Sequence, residues 1–227
     1  MNLALFDLDH TLLPLDSDHA FGEFMVRIGW ADDEVFRAGN DAFYKQYLAG
    51  RLDIEAYIDF TTRPWRGRTD AERASAHQRF MDEVIAPQLR PAALQLVERH
   101  RAQGDAIAIV TATNEFVTRP IAAAFGVAEL IAVELHRDDT GNITGRIHGV
   151  PSYREGKITR VEQWLAAQGR SLAEFKRVSF YSDSPNDLPL LERVNDPVAT
   201  NPSPALEAVA RERGWRILKL FDDQEIH

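Results

Sequence analysis

The chain has 227 residues, 44% hydrophobic and 27% charged, with a formal net charge of −9 at pH 7 and no cysteine. That length builds one large domain or a core with an insert, the acidic balance argues against a nucleic-acid footprint, and the lack of cysteine excludes disulfides and thiolate metal sites. The N-terminal segment has no basic n-region and Asp7 interrupts its first apolar run, so it does not read as a secretory signal; no apolar run approaches the roughly 20 residues that span a bilayer, and a cytoplasmic protein is expected.

Residues 3–8 are an apolar run too short for a helix and suited to a buried strand. The run ends in Asp7-Leu8-Asp9-His10-Thr11. Side chains alternate faces along a strand, but in the loop at its carboxyl end Asp7 and Asp9 can turn toward one point. Two carboxylates at one point repel unless a cation joins them or one holds a proton. The first arrangement gives a Mg²⁺ site, the second a nucleophile beside a general acid; a solvated turn is the plain alternative.

From Asp16 to Pro87 the spacing is helical, with aromatics in the apolar positions: Phe21 and Phe24, Phe36 and Phe43, Tyr47 and Tyr57, then Phe80. Gly29, Gly50 and Gly67 punctuate this stretch, and Pro64 and Pro87 interrupt it. With no strand pattern, it predicts an insert of about four helices over 15–88, its aromatic stripe mostly core. Pro91 suits the first turn of a helix to about Gln103. Residues 106–110 are continuously apolar, as in a strand buried on both faces, and end at Thr111-Ala112-Thr113-Asn114. A helix to Phe125, a strand over 128–135 and a β-hairpin turning at 138–142 follow. A helix over 157–167, a strand over 178–181 ending at Ser182-Asp183, a short strand over 197–199, a helix over 203–213 and a strand over 215–220 complete the chain.

Alternating strands and helices imply a doubly wound α/β parallel sheet, with 1–14 and 89–227 as the catalytic core and the ligand at the carboxyl ends of the strands. Three of those ends carry polar clusters: Asp7-Asp9, Thr111-Thr113 and Asp183 to Asp187. Asp183 and Asp187 share a face if their turn is helical, and carboxylates suit Mg²⁺; helix capping is the alternative for Asp183. The Thr111 hydroxyl beside helix N-terminal N–H groups offers a phosphate cradle, and Lys157 a cation to offset phosphoryl charge. Together they describe phosphoryl transfer in which Asp7 attacks phosphorus and an aspartyl phosphate forms. Asp9 protonates the leaving alkoxide and then takes a proton from water, which requires surroundings that separate the two aspartates' pKa values. Asp16, Ser17, Thr113, Asn114, Arg154 and Asn186 are candidate substrate contacts; His10 reads as a loop residue and His19 as a weaker candidate. The partner is a small-molecule phosphomonoester, not nucleic acid or membrane, and the chain acts as a monomer or homodimer.

These residues resemble the haloacid dehalogenase superfamily of phosphatases. The first motif stands as Asp7-Leu8-Asp9-His10-Thr11, the second as Ile109-Val110-Thr111, the third as Lys157 and the fourth as Asp183 and Asp187. The resemblance implies Asp7 as nucleophile, Asp9 as acid and base, and phosphate contacts from Thr111 and Lys157. It also implies Mg²⁺ held by Asp7, the Asp9 backbone carbonyl and Asp183, with Asp187 supporting. A helical insert between the first two motifs is similar to the cap of the subclass containing phosphoserine phosphatases, where the position of Asp16 binds the substrate amine. That subclass's cap arginine for a substrate carboxylate has no secure match, Arg51 being the one candidate. The stretches 6–14 and 152–157 look like a branch that includes histidinol-phosphate phosphatases. Histidinol phosphate has an amine and an imidazole but no carboxylate, and acids such as Asp16 and Asp18 suit it. Phosphoserine is the alternative substrate. A phospho-accepting signalling receiver is the non-enzymatic alternative, disfavoured by Asp9, whose base would destroy a long-lived phosphate; a mutase needs the same core.

Overall fold

The computed structural model describes residues 1–221. The first apolar run forms β1 (Leu3–Phe6), buried along its whole length. Four helices follow: α1 (Ser17–Arg27), α2 (Asp33–Leu48), α3 (Ile54–Arg66) and α4 (Asp70–Phe80). Each starts where a short polar side chain takes up free N–H groups of the first turn: Asp16, Asp32, Asp53 and Thr69. The core resumes with α5 (Pro91–Ala102), β2 (Ala106–Asn114), α6 (Glu115–Ala124) and β3 (Leu130–Val133). A hairpin of β4 (Leu135–Arg137) and β5 (Ile143–Ile147) precedes α7 (Glu155–Ala167) and β6 (Val178–Ser182). The chain continues through α8 (Leu188–Arg193), β7 (Asp196–Thr200), α9 (Pro204–Glu212) and β8 (Arg216–Leu218). No helix among the described residues is long and apolar enough to cross a membrane.

The six-stranded sheet is parallel, in the order β3-β2-β1-β6-β7-β8. β1 lies between β2 and β6, with Leu3 opposite both Ala106 and Val178. The Asp7 N–H bonds the Tyr181 carbonyl at 2.9 Å, extending the pairing one residue past β1. This register brings Asp7, Thr111 and Asp183 to one edge. Alternation along β1 divides the core: Leu3 and Leu5 face α7, α8 and α9 through Val161, Leu190 and Leu206. Ala4 and Phe6 belong to a second cluster that continues through Ile109 into Phe21, Phe24, Trp65 and Phe80 of the insert. α1 touches α6 and β2, so the apolar core runs across the expected boundary at residue 15. α3 lies on the hairpin strand β5, and Trp65 stacks on Phe116 of α6 with ring centroids 4.2 Å apart.

Two helix breakers act differently from expectation. Pro64 lies inside α3 near its end, where it removes one ladder bond without stopping the helix. Pro87 ends no helix abruptly either; α4 passes into a π turn at Met81–Ile85 and a 3₁₀ turn at Ala86–Gln88, with the proline early in the latter. β2 also extends past its apolar run, because Asn114 still pairs with Val133 across a register irregularity.

Trp65 is 1% exposed and joins the insert to the core, so Trp65→Ala is expected to cost about 3–5 kcal/mol. A urea denaturation midpoint unchanged by the substitution would contradict that packing role.

Candidate active site

Two tight turns aim the reactive side chains. His10 adopts φ 54° in the loop after β1, and Asn201 fixes that loop by donating to the His10 and Thr11 carbonyls, each at 3.1 Å. Before α7, Arg154 adopts φ 51°, and a Cβ on Gly156 would lie 2.0 Å from the Pro151 carbonyl oxygen; glycine lets the chain turn closely enough to send Lys157 inward. Lys157 Nζ donates to Asp7 Oδ1 at 2.8 Å and to Asp187 Oδ2 at 2.7 Å. Asp187 Oδ2 also accepts from Ser182 Oγ at 2.7 Å. Thr11 Oγ1 lies 3.2 Å from Asp7 Oδ2 and 3.4 Å from Asp183 Oδ1, and accepts the Asp183 N–H at 3.1 Å. One hydroxyl proton serves only one of those carboxylates at a time.

The charges do not balance. Burial lifts Asp7 to about 7, with Asp187 and Asp9 adding repulsion against the pull of Lys157. Burial followed by repulsion from Asp7 and Asp187 lifts Asp183 well above the carboxylate range. Burial alone would lower Lys157, but Asp187 and Asp7 outweigh it and hold the ammonium protonated. Three carboxylates thus share one cation. The described residues contain no ready-made group of three or more acidic or histidine ligands. Mg²⁺ needs none, since it retains water and takes one or two carboxylates together with phosphate oxygens. Asp7 and Asp183, either side of the Thr11 hydroxyl, fit that demand. Asp187, expected to support that site, turns Oδ2 to Lys157 and Ser182 and so orients the ammonium.

Asp9 faces the insert. It accepts the Ser17 N–H at 2.8 Å through Oδ1 and the Thr113 hydroxyl at 2.8 Å through Oδ2. Burial first and Asp16 second lift it to about 7. Burial lifts both aspartates, but their partners differ: Lys157 and Thr11 for Asp7, Ser17 and Thr113 for Asp9. A cation beside Asp7 would lower that residue selectively. The Thr111 hydroxyl accepts the Thr113 N–H at 3.1 Å, and both threonines face the cavity beneath the insert.

The cavity is enclosed by Asp7, Asp9, Thr111 and Thr113 below and by Asp16, His19, Asn40, Tyr44, Tyr47 and Tyr57 on the insert. It holds about 40 Å³, space for a few waters, and His10, Asp16, His19 and Tyr44 also line an adjoining, larger cleft. Two residues expected to contact substrate bind the insert backbone: Asn186 Nδ2 donates to the Tyr47 carbonyl at 3.0 Å, and Arg154 Nη1 to the Gly50 carbonyl at 2.9 Å. Asn114, also expected to contact substrate, instead caps α6 by accepting the Phe116 and Val117 N–H groups and donates to Asp18 at 3.3 Å. Ser17 is buried, offering Asp9 its backbone N–H. Arg51 is exposed and outside the cavity wall. Asn40, Tyr44 and Tyr57 are in the wall although their helical spacing gives them no signal distinct from core; only Asn40, a polar residue beside an apolar stripe, is unusual in sequence.

The chain matches the family model of haloacid dehalogenase-like hydrolases over residues 4–192. It is 43% identical over 217 residues to a histidinol-phosphatase of Neisseria meningitidis serogroup C (strain 8013), covering 96% of this chain and 98% of that one. A crystal structure of a protein of unknown function from Bordetella pertussis Tohama I is 50% identical, with a TM-score of 0.91 and coverage of 97% and 99%. A substrate-bound phosphoserine phosphatase complex, 17% identical, shares the fold at a TM-score of 0.66, covering 96% of this chain and 92% of that one.

Asp18 lies behind the cavity wall, and burial followed by repulsion from Asp16 lifts it from 3.8 to about 7. The folded chain therefore holds this proton more tightly than the unfolded chain, and stability is lost as pH rises between those values. Asp18→Asn is expected to raise the melting temperature at about pH 8 and to give no such gain near pH 4. Thermal unfolding at both pH values checks this; an equal gain at both would rule out ionisation as the cause.

Proposed function

The chain belongs to the haloacid dehalogenase-like hydrolase family and is a phosphatase, and on that premise we propose that it hydrolyses histidinol phosphate with Mg²⁺. The observation that carries this reading is the cavity wall: acids and aromatic rings line it, with no arginine or lysine among the lining residues. Phosphoserine would bring a carboxylate to a wall with no cation to receive it. Histidinol phosphate brings an amine, which Asp16 complements, and a ring, which the tyrosines complement. Its name as the substrate rests further on the Neisseria relative, a histidinol-phosphatase.

Asp7 is the nucleophile. Its carboxylate oxygen forms a bond to phosphorus as the bond from phosphorus to the alkyl oxygen breaks, and Asp9 gives the departing oxygen a proton. Asp9 next takes a proton from water as that water attacks phosphorus and the bond to Asp7 breaks, releasing phosphate. Lys157, anchored by Asp187, holds Asp7 in line. Thr111 binds the phosphate by donating its hydroxyl proton, its oxygen already accepting the Thr113 N–H. Asp7, the Asp9 backbone carbonyl and Asp183 would hold Mg²⁺, which when bound neutralises phosphoryl charge. Asn186 and Arg154 fasten the insert over the ester while it reacts, keeping bulk water out.

Phosphate release from histidinol phosphate, phosphoserine and p-nitrophenyl phosphate, with Mg²⁺ and with EDTA, tests the reading. Histidinol phosphate should be preferred and EDTA should stop turnover; preference for phosphoserine would overturn the substrate. Asp7→Asn is expected to lower kcat by about a thousandfold or more while the protein remains folded. Parental turnover by that variant would remove Asp7 as nucleophile.

A further inference from the structure

Histidinol phosphate has three parts to recognise, and the site so far accounts for the phosphate and the amine. The ring would lie under the insert, where one polar group has nothing to bond. Asn40, on α2, is 2% exposed and faces the cavity, yet its Nδ2 has no hydrogen-bond partner. A buried amide donor left unpaired is costly, and it persists where a ligand completes it. The chain makes room for this side chain at some expense. Gly22 sits mid-helix in α1, where glycine weakens a helix by about 1 kcal/mol relative to alanine. A Cβ there would stand 3.1 Å from Asn40 Nδ2 and 2.8 Å from Phe36 Cε1. Beside Asn40 the wall turns aromatic: the Phe43 and Tyr57 rings meet at 5.4 Å, and Tyr44 stands against His19 at 5.9 Å.

A neutral imidazole has one N–H and one bare nitrogen that accepts a hydrogen bond, and its flat face suits aromatic neighbours. We propose that the Asn40 amide donates to the bare ring nitrogen of the substrate imidazole, making Asn40 the residue that selects esters carrying this ring. The inference rests on the histidinol phosphate reading. His10 also has unpartnered ring nitrogens, but it adjoins Asp9 at the phosphate end. Asn40 stands on the insert, at the end left for the ring. A hydrogen-bonding site of this kind rejects a substrate lacking the group far better than an apolar pocket does, because the protein's own donor is then left unpaired.

The test uses 2-aminoethyl phosphate, which keeps the amine and the ester and lacks the ring. In the parent enzyme kcat/KM should favour histidinol phosphate over this compound. If it does not, the substrate reading itself fails, before any variant is made. Given that preference, Asn40→Ala should reduce it about tenfold, through KM for histidinol phosphate more than through kcat. Asn40→Ser, which keeps a small donor at less cost to packing, should fall between parent and alanine variant. If both variants lose the same factor on the two esters, or neither loses any, Asn40 is structural and the proposal is overturned.

Discussion

The site depends on an excess of buried negative charge. Asp7 and Asp187 pair with one ammonium, that of Lys157, and Asp183 stands across the Thr11 hydroxyl from Asp7. Removing one partner from a buried ion pair typically costs about 3–5 kcal/mol, so the protein cannot relieve the excess by letting Lys157 go. It surrounds the acids with donors instead: Thr11 between Asp7 and Asp183, Ser182 on Asp187, Asn201 fixing the loop itself. The remaining deficit of positive charge makes the site receptive to a divalent cation.

The insert adds selectivity to this charge trap. Its helices carry the aromatic rings over the acids, and Trp65 and the hairpin strand β5 keep the far end of the insert seated on the core. At the near end polar contacts run from Asn186 to the Tyr47 carbonyl in the last turn of α2 and from Arg154 to the Gly50 carbonyl just past it. Such contacts exchange readily with water, whereas stacked rings do not. The closed arrangement is therefore anchored at one end and releasable at the other.

Much of this was legible in the sequence where the physics is local. The order of strands and helices followed from periodicity, and the acids at the strand ends followed from their place after apolar runs. Asp7, Asp9, Thr111 and Asp183 come together because parallel strands put their carboxyl ends side by side, and Lys157 joins them from the first turn of α7. What sequence could not give were partners fixed only by tertiary packing. Asn114 looks like a polar residue at a strand end and so a ligand contact, but the helix that follows it claims its side chain. Arg154 and Asn186 lie beside the reactive residues along the chain, yet reach the insert rather than the ester. Tyr44 and Tyr57 have the helical spacing of core residues, and only the curvature of the insert reveals that they face a cavity.

The strand order carries a further consequence for how the protein is made. β1 emerges from the ribosome first and lies at the middle of the sheet, between β2 and β6. Its partner β2 begins at Ala106 and its other partner β6 at Val178. Until roughly four-fifths of the described chain has been synthesised, β1 keeps one edge unpaired, and Asp7 lacks the acids that give it its chemistry. Long-range pairing of this kind is slow to close and exposed to aggregation. The nascent protein thus passes through a stage with its insert complete and its reaction centre unmade, inert toward phosphate esters until β6 and the turn that carries Asp183 and Asp187 have been added.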